Sequence, residues 1–235
     1  MVTIKATHSK LEVVAIVLGF VGLFGTITVT ALPMWRVTAF IGANLIVMEV
    51  LWEGLWMNCY RQADIRMQCK VYDSLLILPP ELQAGRGLMC ASIILAFFAL
   101  IVSGCGMRIT SCCRDNVKGK NVTLAVGGCL FLLACLTTLI PVSWTSHTII
   151  RNFYNPQVQD SQKKELGEAL FVGWATGAVL LITGIILLCR FSTRRSKDEL
   201  HNADTYVMAE RESLNEDAVD LDRKPSSFYK EHQYV

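Results

Sequence analysis

The sequence predicts an all-α membrane bundle of four helices that carries an antiparallel β-sheet on its outer face. Three observations predict it. Val13–Trp35, Gly87–Met107, Asn121–Ile150 and Ala169–Cys189 each lack Asp, Glu, Lys and Arg, and each reaches the roughly 20 apolar residues that a bilayer-spanning helix needs. Between the first two stretches, apolar and polar residues alternate with period two, as in a half-buried strand. Lys and Arg gather on one side of the spans, as membrane topology requires.

Composition supports the spans. Hydrophobic residues make up 52% of the chain, more than a soluble domain of this length carries. A buried helix of a soluble core would show apolar runs of about 10–14 residues, and four longer runs exclude it. The first run is also too long for the apolar region of a signal peptide, with no small-residue cleavage site before Trp35, and is read as retained.

The basic residues orient the bundle. Arg108, Arg114, Lys118 and Lys120 follow the second span, Arg190, Arg194, Arg195 and Lys197 follow the fourth, and Lys5 and Lys10 precede the first. These segments belong in the cytosol by the positive-inside rule. The expected order is a cytosolic N-terminus (1–10), a span (11–32), an outer loop (33–87), a span (88–107), a cytosolic loop (108–121), a span (122–142), an outer loop (143–168), a span (169–189) and a cytosolic tail (190–235). In the first outer loop Arg36, Arg61, Arg66, Lys70 and Arg86 are balanced by Glu49, Glu53, Asp64, Asp73 and Glu81. The sequon at Asn121 falls on the cytosolic side, so glycosylation is not expected there.

The outer loop reads as strands. From Ile46 to Trp56 one parity is apolar and the other carries Glu49 and Glu53, a strand with one dry and one wet face. Pro33–Phe40 and Met67–Tyr72 are two further candidates, and Tyr60–Gln68 is a polar tip between them. Pro79-Pro80 breaks the chain, and Glu81–Arg86 reads as a short helix leading into the second span. Only Cys59 and Cys69 lie in the oxidising outer space, so they can pair with each other. Cys105, Cys112, Cys113 and Cys189 lie at the cytosolic membrane face, where S-palmitoylation and a plain reduced thiol are the two readings.

Gly19, Gly22 and Gly25 in the first span, and Gly173 and Gly177 in the fourth, are small residues at helical spacing that let helices approach in lipid. Packing within one bundle is preferred over a dimer interface. The tail Phe191–Val235 is rich in charge and poor in large apolar residues, a composition that predicts disorder. It ends in Tyr234-Val235, which suits a PDZ groove that captures a terminal carboxylate beside an apolar side chain.

Nothing in the chain reads as a catalytic constellation. The four histidines are scattered, no His or Cys spacing suits a metal, and no Gly-rich phosphate loop follows a strand. An enzyme, a cofactor and a metal are not expected. The basic residues are juxtamembrane, without interleaved aromatics, so they fit anionic lipid and not nucleic acid.

Trp35, Gly54-Leu55-Trp56, Cys59 and Cys69 stand in an order and spacing that resembles the signature of the claudins, the four-span proteins of tight junctions in the plasma membrane. The stretches MWRVTAF, WEGLWMNC, QCKVYDSLL, IPVSW, NFYNP and QKKELGEAL extend the likeness from about Leu11 to Cys189, and the terminal Tyr-Val adds to it. The resemblance implies a left-handed bundle under a five-stranded sheet. It implies that Trp35, Gly54, Leu55, Trp56 and Arg86 anchor the sheet, and that a Cys59–Cys69 bridge joins its third and fourth strands. It further implies a paracellular barrier or ion channel, built by polymerisation with other claudins within one membrane and across the gap, with PDZ scaffold proteins as partners. Phe153, Tyr154, Asn155 and Pro156 would be recognition residues, together with the tip Tyr60–Gln68. Gln157 stands where toxin-binding members carry Leu, which speaks against enterotoxin binding. Lys70 follows the second Cys, the position that faces the ion path in pore-forming members, so a cation barrier with anion preference is expected. Arg36 and Arg66 would add to its field. The rival reading is a regulatory or trafficking four-span protein that modulates another channel.

Overall fold

Four helices carry the fold: α1 (Val2–Ala31), α2 (Pro80–Gly106), α3 (Val117–Tyr154) and α4 (Glu168–Asp222). The structure is a computed structural model that describes residues 2–39, 50–61, 66–74, 78–107, 117–159 and 162–222. Lys10–Ala31, Pro80–Gly106, Gly119–Tyr154 and Glu168–Lys197 are each long and apolar enough to cross a membrane. Large apolar side chains such as Phe24, Phe97, Leu136 and Ile182 point outward, as befits a bundle that meets lipid on its outside and packs small residues within. The inward side is Ala15, Ala96, Ala99, Leu124, Phe131, Ala134, Leu180 and Leu187.

The glycines permit that packing. A Cβ on Gly19 would strike Phe131 and Leu100, one on Gly22 would strike Leu180, and ones on Gly173 and Gly177 would strike Val142 and Leu139. Each glycine is filled by a neighbouring helix of the same chain, which is the packing role that helical spacing of small residues predicts. Polar groups add clamps across the helices. Ser92 Oγ bonds Thr138 Oγ1 at 2.6 Å and donates to the Ala134 carbonyl at 2.9 Å. At the end away from the sheet, Arg190 pairs with the buried Glu12 at 3.4 Å.

The sheet is antiparallel, with strand order β4-β3-β2-β1-β5. Its strands are β1 (Arg36–Thr38), β2 (Val50–Glu53), β3 (Met57–Arg61), β4 (Gln68–Val71) and β5 (Lys164–Leu166). Cys59 faces Cys69 across β3 and β4, and the two form a disulfide.

Several boundaries differ from the sequence reading. The strand expected over Ile46–Trp56 ends at Glu53, because Gly54 N–H donates to the Met57 carbonyl at 3.0 Å and closes a hairpin. The expected tip Tyr60–Gln68 begins later, since Tyr60 and Arg61 belong to β3 and Gln68 to β4. Glu81–Arg86 is not a separate helix but the first turns of α2, with Pro79 as its N-cap and proline at its first position. α3 continues past the expected span end at 142 as far as Tyr154, so much of the second outer loop is helix.

Contacts divide the chain into Met1–Phe191 and Ser192–Val235. In the second unit the structure records helix as far as Asp222, where composition predicts disorder. No Pro or Gly occurs between Phe191 and Asp222, and the Arg195–Glu199 pair, 2.9 Å at i,i+4, supports a solvated helix.

Candidate functional site

The sheet is bolted to the bundle by buried apolar contacts and by backbone groups that find few alternatives. Trp35, Leu55, Leu82, Met89, Val142, Ala169 and Leu170 form one buried cluster at the joint. Trp35 is fully buried, so its indole N–H needs a partner, and it donates to the Val29 carbonyl at the end of α1 at 2.9 Å. The Trp35 backbone N–H donates to Glu53 O, and Trp35 O accepts from Gly167 N–H. Two glycines make this closeness feasible. A side chain on Gly54 would collide with the Pro33 backbone, and one on Gly167 with that of Met34.

Arg86 on α2 closes the joint from below. Its Nε donates to the Leu55 carbonyl. Its guanidinium lies over the rings of Trp56 and Tyr72, 5.2 and 5.3 Å from their centroids, as cation–π contacts do. The Tyr72 hydroxyl reaches the Gly54 carbonyl at 3.1 Å and Asn58 Oδ1. Burial, reinforced by the Glu53 charge, pushes the Tyr72 phenol from 10.0 up to about 12, with Arg86 and Arg36 acting in the opposite direction.

Cross-strand partners share a face. Leu166, Arg36, Glu53, Asn58 and Lys70 form one row across all five strands. Arg36 is 5% exposed and pairs with Glu81 in the first turn of α2, where a carboxylate also suits the helix dipole. Glu53 pairs with Lys164 of β5. Lys70 is different. Its side chain is 77% exposed and meets the equally open Asp73 at 2.6 Å.

Where β1, β2 and β5 oppose the end of α3, Arg36, Leu51, Ile149, Asn152, Lys163 and Lys164 line a cavity of about 470 Å³. A more open groove lies beside it, between Ile149, Phe153, Tyr154, Leu166 and Phe171. Phe153 meets Tyr154 edge-on at 5.5 Å, and Tyr154 is 79% exposed. Asn155 turns the chain, its Oδ1 accepting from the Gln157 N–H at 3.0 Å, with Pro156 between them.

The PMP-22/EMP/MP20/Claudin family model matches residues 9–187. The chain is 47% identical to Claudin-8 of Mus musculus over 98% of its own length and 100% of that protein. It is 54% identical to Claudin-17 of Sus scrofa, over 77% of this chain and 80% of the relative. It is 51% identical to human Claudin-3, over 80% of this chain and 84% of the relative. The chain belongs to the claudins. It is therefore a multi-pass tight-junction protein of a structural family.

In this claudin the fold brings Trp35, Gly54, Leu55, Trp56 and Arg86 together at one joint. It separates the three cations that the sequence grouped. Lys70 and Arg66 are exposed on or beside β4, whereas Arg36, on β1 three strands away, is buried and ion-paired. Cys105 is half-buried and Cys189 exposed. Cys112, Cys113, Tyr234 and Val235, and residues 62–65 of the tip, lie outside the described residues. Sequence reasoning missed Tyr72, Glu81 and the Glu53–Lys164 pair. Tyr72 left one signal, an aromatic just beyond the second Cys, while Glu53 and Lys164 lie 111 residues apart and left none.

Proposed function

We propose that the sheet faces the intercellular space, that both termini face the cytosol, and that this claudin polymerises into strands forming a paracellular barrier that disfavours cations and favours anions. The observation that carries the selectivity is the exposed Lys70 ammonium on the edge strand β4. Repeated along a strand, such charges raise the local concentration of anions and lower that of cations. The effect fades as salt rises, because exposed charges are screened over about 8–10 Å at physiological ionic strength. Asp73 partly offsets Lys70, so the expected bias is moderate.

Assembly is supported by the sheet edges and by the groove. Among the described residues β4 and β5 each have a single strand neighbour, and unpaired edges are templates for another chain. Phe153 and Tyr154 line an apolar groove beside β5, suited to a side chain of a neighbouring claudin. Capture of Tyr234-Val235 by PDZ scaffolds rests on the terminal carboxylate and its apolar neighbour.

The test is a NaCl dilution potential with transepithelial resistance, measured on a claudin-deficient epithelial monolayer that expresses this chain. Wild type is expected to raise resistance or to favour chloride, and Lys70→Asp to shift preference towards sodium. Unchanged resistance and ion preference in both, despite surface delivery, would overturn the selectivity reading and favour a four-span regulator of another channel.

A further inference from the structure

α3 is longer than a bilayer is thick, and its outward face changes character where it leaves the membrane. Along one stripe the exposed residues run Leu133, Leu136 and Ile140, then Trp144, His147, Arg151 and Tyr154. Steps of three and four residues keep them on one side of the helix. The first three belong to the apolar body of the span Gly119–Tyr154 and face lipid. Trp144 stands about 36 Å along the axis from Lys120, at 1.5 Å per residue. There the hydrocarbon core of about 30 Å has given way to headgroups, the level at which tryptophan is enriched.

His147 and Arg151 follow within two turns. Side chains lean towards the N-terminus of their helix, which from the sheet's end of α3 is towards the membrane. A long arginine stem then carries its charge down into the headgroup layer. Arg151 is free to do so. It is exposed, and its side chain has no ion pair, hydrogen bond or ring contact among the described residues. Glu165 and Glu168, exposed on β5 and at the start of α4, do not pair with it. The helix dipole favours a cation in this last turn, but it does not account for Trp144 and His147 on the same stripe.

We propose that Trp144, His147 and Arg151 bind the phosphate of a phospholipid headgroup in the leaflet on the sheet's side. Arg151 holds the phosphate by charge-assisted hydrogen bonds, His147 donates another, and Trp144 sits at the interface with its ring in the apolar layer. Two features select this occupant: the face continues the lipid-facing stripe without a break, and its charge is opposite to that of phosphate. The proposal rests on the spans and is independent of the selectivity assigned to Lys70.

The test is nitrogen–phosphorus dipolar coupling by solid-state NMR, on the full-length protein with isotope-labelled arginine in phosphatidylcholine bilayers. A guanidinium coupling is expected at a separation of about 4 Å, that of a charge-assisted contact to phosphate. Arg151→Gln should remove it and His147→Gln should lower its intensity. Arg61→Gln, on β3 with its guanidinium over the Trp52 ring, should leave it in place. Equal thermal midpoints for wild type and Arg151→Gln would show that the loss is local. A lipid exchange reads the same contact on wild type without any variant: in digalactosyl diglyceride bilayers with inorganic phosphate added, the coupling should be absent. Its presence there would assign the contact to a free anion and overturn the proposal. Coupling unchanged by Arg151→Gln, or lost equally in Arg61→Gln, would overturn it too. So would coupling that disappears as the protein-to-lipid ratio rises, since a second copy would then cover this face.

Discussion

Arg36 and Lys70 stand in the same cross-strand row of one sheet, yet their surroundings give them opposite work. Arg36, on β1, is covered by the end of the bundle and neutralised by Glu81. Lys70, on the edge strand β4, is open to solvent with Asp73 equally open beside it. A charge in the dry region either finds a partner or destabilises the fold, while a charge on the edge contributes little to stability and much to the field outside. The same residue class is therefore buried and ion-paired on β1 and open to solvent on β4, where the proposed selectivity would place its field.

That contrast sets out a series of substitutions. Arg36→Ala leaves Glu81 buried without its partner and is expected to cost about 3–5 kcal/mol. Thermal unfolding of the purified protein, with surface delivery in cells, reads this directly. The double substitution Arg36→Met with Glu81→Leu should recover most of the loss, and no recovery would mean that Arg36 has another role. Cys59→Ser is next, since removal of a bridge that closes a short loop costs roughly 2–3 kcal/mol. The midpoint should fall by less than in Arg36→Ala, and reductant should no longer affect it.

Lys70→Ala should change stability by less than about 1 kcal/mol, while chloride preference in the dilution potential falls. Asp73→Asn should increase that preference at low salt, with the difference shrinking as salt rises. If Lys70→Ala unfolds the protein, or Arg36→Ala leaves stability unchanged, the contrast between the two positions in the row is wrong.

The smallest effect belongs to Tyr72. Its folded pKa of about 12 lies above its ordinary 10.0, so the folded state holds the proton more tightly. The stability this confers is complete below about pH 10 and is lost as pH rises towards 12. Tyr72→Phe should remove that alkaline decline. Phenolate absorbance should likewise lose a late-titrating component.

Much of this architecture was legible without coordinates, for identifiable reasons. The spans are legible because lipid demands about 20 apolar residues in a row, a local property of sequence. Helical spacing of Gly19, Gly22, Gly25, Gly173 and Gly177 is local too, and their role within the bundle followed from it. The Cys59–Cys69 pair followed from the side of the membrane to which the Lys and Arg distribution assigned each Cys. The hairpin at Gly54 was not legible from alternation. Leu55 falls in the parity assigned to the wet face and is nonetheless fully buried, because the chain reverses there and the period is broken. β5 was missed for a related reason: three residues, Lys164–Leu166, become a strand only by pairing with β1.

By itself, then, the sequence determined four spans, a β-rich segment between the first two and the Cys59–Cys69 pair, since each depends on a local property of the chain or on the placement of its charges. Only the tertiary structure decided that Arg36 is buried and Lys70 exposed, that Glu53 answers Lys164 and Glu81 answers Arg36. Burial and ion pairing depend on what lies across the fold, and residues 45 and 111 positions apart carry no mark of their meeting.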